Sequence, residues 1–131
     1  MTNKEILTLE PQELYDWLMD EYYITIPEEI ASIEDMKVAN KLNLKLAAFE
    51  SFLSTLLSQV ELYVRDTKRN SSKEEYQDML DRKKLVFTFN ELVKHQREAL
   101  SRSFTIYTKT LEELRISDFS NRTGKKGGFY E

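Results

Sequence analysis

The chain has 131 residues, of which 40% are hydrophobic and 32% charged, with a formal net charge of −4 and no cysteine. Its length fits a single domain with a modest core, and its composition is that of a folded globular or coiled-coil protein, not of a disordered one. The absence of cysteine excludes disulfides, thiolate nucleophiles and metal sites with sulfur ligands.

The charge is divided unevenly along the chain. Residues 1–36 carry ten acids and one lysine, whereas residues 37–131 carry 18 basic residues and 13 acids. Such asymmetry is typical of an acidic segment that screens a basic surface or meets a basic partner, and equally of a solvated acidic helix.

No membrane or export signal is visible. The N-terminus MTNKEILTLE lacks the basic start and apolar core of a signal peptide. The longest uncharged stretch, 51–60, has ten residues, five of them polar, whereas a membrane span requires roughly 20 apolar residues. We expect a soluble protein of the cytoplasm.

The N-terminal part predicts one short helix. Pro11 suits the first turn of a helix, because that turn has N–H groups without intrahelical partners anyway. Apolar residues at helical spacing then give one buried face to about residues 11–22: Leu14, Trp17, Leu18 and Tyr22. We expect an extended connector over 22–26, ended by Pro27, and then a short helical turn over 28–32.

Glycine and proline are missing from Glu28 to Thr123, where average usage would place roughly 11 of them. Capping-box patterns begin at Ser32 and Ser72, and the polar run 67–72 separates them. The sequence therefore predicts an all-α fold, with a long antiparallel helical hairpin over about 33–69 and 73–115. The alternating run 103–108 also suits a strand that pairs with 22–26, but helical spacing continues through it and favours helix.

We expect one helical domain over 1–117, with its acidic segment at 1–36, and a flexible, basic, glycine-containing tail over 118–131. Two apolar stripes run along the hairpin, and a two-helix hairpin cannot cover both. We therefore predict a homo-oligomer whose interface uses the second stripe, with these residues: Leu44, Phe52, Leu57, Phe87 and Val93.

The sequence offers no convergent catalytic set. His95 is the single histidine and has no nucleophile or second metal ligand near it in sequence. Carboxylate pairs at Glu10/Glu13 and Glu75/Asp78 have the spacing of magnesium ligands in all-helical pyrophosphatases, but more than 60 residues separate them. We expect no enzyme activity, cofactor, metal or small-molecule substrate.

Basic residues are the more informative group. They gather at the predicted bend and continue along the returning helix, where they could follow a phosphate backbone, with Tyr63 and Tyr76 as stacking surfaces. Acids are interleaved with them, as on an ordinary solvated helix. The candidate nucleic-acid-binding residues are Arg65, Lys68, Arg69, Lys73, Arg82, Lys83, Lys84, Arg97 and Arg102.

Two groups of residues are similar to motifs of a known family. The first group, at the bend, is Leu62–Tyr63, Thr67–Lys68 and Glu74–Glu75–Tyr76. The second is Arg102–Ser103–Phe104–Thr105–Ile106, followed by Glu112, Phe119 and Gly124. In these positions the stretch 62–124 resembles the UvsY-type recombination mediators of tailed phages. The resemblance implies a small all-helical homo-oligomer that binds single-stranded DNA and helps to load a recombinase.

Two functions therefore stand as hypotheses. The first is a non-catalytic, single-stranded-DNA-binding accessory protein of recombination. The second is a structural, scaffold, adaptor or inhibitor protein, such as a phage assembly component, that acts through protein–protein contacts of its hairpin.

Overall fold

The computed structural model describes the backbone of residues 1–123 and the side chains of residues 1–118. This part of the chain contains four helices and no strand: α1 (Asn3–Ile6), α2 (Pro11–Tyr22), α3 (Ile33–Asn70) and α4 (Lys73–Thr123). The predicted short N-terminal helix and long antiparallel hairpin are confirmed, and 103–108 is helical. Helix α4 continues past the predicted end at 115 and includes 118–123, the first part of the predicted tail. The rest of that tail, 124–131, lies outside the described residues.

The helix starts follow the capping signals in the sequence. The Ser32 hydroxyl accepts a hydrogen bond from the Asp35 N–H at 3.1 Å, and the Ser72 hydroxyl accepts one from the Glu75 N–H at 3.2 Å. The Asp35 carboxylate reaches one residue further back than a capping box requires and accepts from the Ala31 N–H at 3.0 Å. Each hydroxyl thus satisfies an N–H that the helix itself leaves unpaired.

Two local predictions for the N-terminal part need correction. Helix α1 was not predicted, although Thr2 and Glu5 form a complete capping box. The hydrogen bond from the Thr2 N–H lowers the pKa of Glu5 below its ordinary value. The helical turn expected over 28–32 is wrong, since residues 23–32 form neither helix nor strand. Ile30 lies in this irregular segment and is buried there without a helical turn.

The hairpin core is an antiparallel coiled-coil seam. Ala39, Leu46, Leu53 and Val60 on α3 are each seven residues apart and fully buried. The matching residues of α4 repeat at the same interval and are also buried: Val86, Val93, Leu100 and Tyr107. A strict seven-residue repeat keeps one face of each helix against its partner along the whole contact.

The N-terminal segment packs beside this seam. Leu14 and Leu18 of α2 are fully buried, and Tyr15 lies edge-on to Phe89 of α4 with ring centroids 6.2 Å apart. Tyr22 lies edge-on to Phe49 at 4.6 Å and stacks on Phe52 at 5.6 Å. Helix α2 therefore joins both arms of the hairpin through aromatic contacts.

The predicted second stripe is not one continuous exposed face. Leu44 and Phe87 are exposed, but Phe52 and Leu57 are half-buried against the core. Val93 was placed wrongly, because it lies fully buried in the seam of α4. An ideal helix of 3.6 residues per turn rotates by about 20° per heptad relative to a seven-residue repeat. On so long a helix, residues assigned to a face with the ideal period are therefore placed on the wrong face.

Candidate nucleic-acid interface

Four basic side chains surround the end of the hairpin where α3 turns into α4. Arg65, Lys68 and Arg69 lie in the last turns of α3, and Lys73 is the first residue of α4. All four are exposed, and none forms an ion pair with a side chain that the structure describes. We call these four residues the basic tip.

Two of the acids beside the basic tip, Asp66 and Glu75, have uncharged partners. The Asp66 carboxylate accepts a hydrogen bond from the Asn70 amide at 3.1 Å. The Glu75 carboxylate accepts one from the Ser72 hydroxyl at 3.1 Å. Lys68 and Arg69 lie at the C-terminal end of α3, where the negative end of the helix dipole stabilises positive charge. This stabilisation is enough to explain the presence of two of the four cations. The tip therefore presents cations to solvent, with acids interleaved among them.

The two tyrosines near the tip have only part of their rings available. Tyr63 packs against the hydrophobic core and is half-buried, and Tyr76, in the second turn of α4, is half-buried as well. A nucleic-acid base could stack only on the exposed portion of each ring.

Arg82 is not part of the basic tip. It is 8% exposed, and its Nε donates a hydrogen bond to the backbone carbonyl of Leu9 at 2.7 Å. Arg82, Phe89 and Gln96 are spaced seven residues apart on one face of α4, and each contacts the N-terminal segment. Phe89 contacts Tyr15, and the Gln96 amide donates a hydrogen bond to the Ile24 carbonyl at 2.6 Å. Its predicted role as a phosphate ligand is replaced by a structural one.

Arg97 is also engaged within the fold. Its Nη1 lies 2.6 Å from the Glu50 carboxylate, and its Nε donates to the Asn43 side chain at 3.4 Å. Lys83, two heptads earlier, lies 3.9 Å from the Glu61 carboxylate. These contacts connect α4 to α3, so both residues are weaker candidates for nucleic-acid binding than the sequence indicated.

The remaining two predicted cations lie away from the tip. Lys84 is exposed beside a shallow groove between α2 and α4, which Asp81 also lines. Arg102 is exposed in a polar cleft that also contains Glu50 and Glu98. Because acids share both places, neither residue extends an uninterrupted cationic track from the tip.

The described residues form no cluster of metal-ligand side chains. No three acidic, histidine or cysteine side chains there come close enough to hold a metal ion, and His95 is exposed on α4. Glu13 uses its carboxylate to accept from the Glu10 N–H at 3.1 Å, which caps α2. None of the helices in the described part is both long and apolar enough to cross a membrane.

No protein-family model, curated protein or solved structure was found to match this chain.

Proposed function

We propose that the protein is a non-catalytic helical binding protein whose basic tip contacts the phosphate backbone of single-stranded DNA. The observation that carries the proposal is the basic tip: Arg65, Lys68, Arg69 and Lys73 lie together at one end of the hairpin, exposed and without an acidic partner among the described side chains. Free cations of this kind bind phosphates by releasing condensed counterions.

The hairpin gives the basic tip a rigid support. The seam and the polar contacts of Lys83 and Arg97 fix the two arms against each other, so the tip projects from a packed coiled coil. Half-exposed Tyr63 and Tyr76 add partial stacking surfaces, which bases of any sequence can use. We therefore propose binding with little sequence preference. The role in recombination is supported by the resemblance of residues 62–124 to phage mediators.

Fluorescence anisotropy with a labelled oligothymidylate tests this proposal. We expect binding at about 50 mM salt that weakens strongly by about 200 mM. The tip variant, with Arg65→Gln, Lys68→Gln, Arg69→Gln and Lys73→Gln, should lose most of the binding. A matched control removes four exposed lysines from the opposite end of the hairpin: Lys37→Gln, Lys41→Gln, Lys45→Gln and Lys109→Gln. Absence of binding by the unaltered protein at the lower salt, or equal loss in both variants, would contradict the proposal.

A scaffold or adaptor role is the second candidate function. Large apolar side chains are exposed along the hairpin, among them Leu44, Leu62 and Phe87. Single exposed apolar residues are ordinary on a protein surface, but several on one slender hairpin suit contacts with another protein. This function becomes the better account if the oligonucleotide does not bind.

A further inference from the structure

Phe87 lies on the side of α4 that faces away from the N-terminal segment. Its side chain is 51% exposed, more than that of any other phenylalanine that the structure describes. Phe89, two residues further on, contacts Tyr15 of α2. Two residues turn a helix by roughly 200°, so Phe87 points away from α2. It also follows Lys83 by about one turn, and Lys83 contacts Glu61 of α3. Phe87 therefore lies beside the edge at which α4 meets α3.

Phe87 continues a line of residues that begins at the basic tip. Four earlier residues of α4 lie within about 50° of Phe87 around the helix, at either the ideal period or the seven-residue repeat: Lys73, Tyr76, Leu80 and Lys83. Lys73 belongs to the basic tip, and Tyr76 is half-buried. From Tyr76 to Phe87 the helix rises by about 16 Å. We call these five residues the aromatic face.

Charge is segregated around this part of α4. The segment 73–87 contains four acids, and all of them lie about 100° or more from Phe87 around the helix: Glu74, Glu75, Asp78 and Asp81. Acids and lysines are interleaved in the sequence, but the helix directs them to different sides. The aromatic face therefore contains lysines and aromatic rings but no acid.

Two acids lie beside Phe87, and each has a lysine partner. The carboxylate of Glu61 on α3 lies 3.9 Å from the Lys83 Nζ. The carboxylate of Glu91, one turn after Phe87, lies 3.2 Å from the Lys94 Nζ. Because a lysine offsets each carboxylate, neither acid repels a nearby phosphate as strongly as a lone carboxylate would.

We propose that a single strand held by the basic tip continues along the aromatic face and stacks a base on Phe87. The stacking depends on the DNA binding proposed above, and it adds the direction of the strand and a residue that contacts a base. Every base has a flat π-face, so an aromatic platform suits binding with little sequence preference. Phe87 offers a more exposed ring than half-buried Tyr63 and Tyr76, and it lies on the same side of α4 as Tyr76.

Alanine substitutions in the anisotropy assay separate stacking from charge. Phe87→Ala should weaken oligothymidylate binding at least about fivefold, which is the loss of one base–aromatic stack. The slope of log K against log salt concentration should stay the same, because no cation is removed. The control Tyr23→Ala removes an aromatic ring that is also 51% exposed, in the segment after α2, and should bind like the unaltered protein.

The outcomes distinguish the stacking on Phe87 from the binding at the basic tip. Equal affinities of Phe87→Ala and Tyr23→Ala, with binding by the unaltered protein, would overturn the stacking and leave the binding at the tip in place. Absence of binding by the unaltered protein would overturn both.

Two further substitutions distinguish stacking from simple apolar contact. Phe87→Trp keeps an aromatic ring and should bind at least as tightly as the unaltered protein. Phe87→Leu keeps an apolar side chain without a ring and should bind as weakly as Phe87→Ala. A Phe87→Leu variant with the affinity of the unaltered protein would contradict stacking on this residue.

Ultraviolet cross-linking to oligothymidylate locates the strand directly. Trypsin cuts after Lys84 and Lys94, so Phe87 lies in the peptide 85–94. We expect mass spectrometry to find a nucleotide linked to Phe87 in this peptide. Links found only in residues 11–22 would place the strand on the opposite side of α4 and would overturn the proposal.

Discussion

The basic residues in the middle of the hairpin and those at its bend look alike in sequence but have different surroundings in the fold. In the middle, Arg82 is buried against the Leu9 carbonyl, and Arg97 pairs with Glu50. At the bend, the four cations of the basic tip have no acidic partner among the described side chains. The role of a basic residue thus depends on which residues the fold places opposite it. A stability measurement should therefore detect the first group and a binding measurement the second.

The same contrast exists along α4 between covered and uncovered apolar residues. Leu100 and Leu114 occupy the same seam position two heptads apart, but Leu100 is fully buried and Leu114 is 61% exposed. We expect Leu100→Ala to lower the free energy of unfolding by about 2–5 kcal/mol, because it leaves a cavity in the seam. Leu114→Ala should change it by less than about 0.5 kcal/mol at a concentration where the protein is monomeric. Urea denaturation of both variants checks this, and equal losses would refute the contrast.

Removal of Arg82 should have the next largest effect on stability. Arg82→Met keeps much of the apolar stem but leaves the Leu9 carbonyl without its donor, which costs about 1–3 kcal/mol. The control Lys84→Met, at an exposed position two residues away, should change stability by less than about 0.5 kcal/mol. Thermal or urea unfolding gives both values. If Arg82→Met proved as stable as the control, the middle cations would no longer differ from those at the tip.

The basic tip should contribute little to folding. Its four side chains are exposed. Lys68 and Arg69 gain a little from the α3 dipole, whereas Lys73 lies at the positive end of α4, so the variant with all four replaced by glutamine should unfold within about 1 kcal/mol of the unaltered protein. A larger loss, in the same urea experiment, would show that these residues act as part of the fold, as Arg82 and Arg97 do.

Ionisation of Tyr22 at alkaline pH should weaken the packing of α2 against the hairpin. Burial raises the pKa of the Tyr22 hydroxyl above its ordinary value of 10.0, with a smaller contribution from Glu21. The unfolded chain then ionises at lower pH than the folded one, so stability falls as pH rises from 10 through the raised native pKa. The Tyr22→Phe variant lacks this dependence and should lose less stability over the same interval. Parallel pH dependence in the two proteins would contradict the assignment.

The sequence predicted the helices well because their determinants are local. Ser32 and Ser72 cap helices through N–H groups three residues away. The polar run 67–72 and the lack of glycine and proline likewise affect the backbone only in their own neighbourhood. Thr2 with Glu5 was an equally local signal for α1, and a search for capping boxes from the first residue would have found it.

The candidate site was less predictable because partners far apart in sequence decide it. Arg82 finds its acceptor 73 positions earlier, and Arg97 meets Glu50 across the hairpin. No local pattern distinguishes these arginines from Arg65 or Arg69. Val93 was misplaced for a related reason, since its face depends on the supercoil, which follows the seven-residue repeat and not the ideal helical period.

The salt dependence of oligothymidylate binding tests the central claim most directly. For single strands, the slope of log K against log salt concentration becomes shallower by about 0.7 for each phosphate that the protein no longer neutralises. If the basic tip holds the strand, the tip variant should show a slope shallower by up to about 3 than that of the unaltered protein, while the control with four lysines removed from the other end keeps the original slope. Equal slopes in the tip variant and the unaltered protein would show that the tip does not bind DNA.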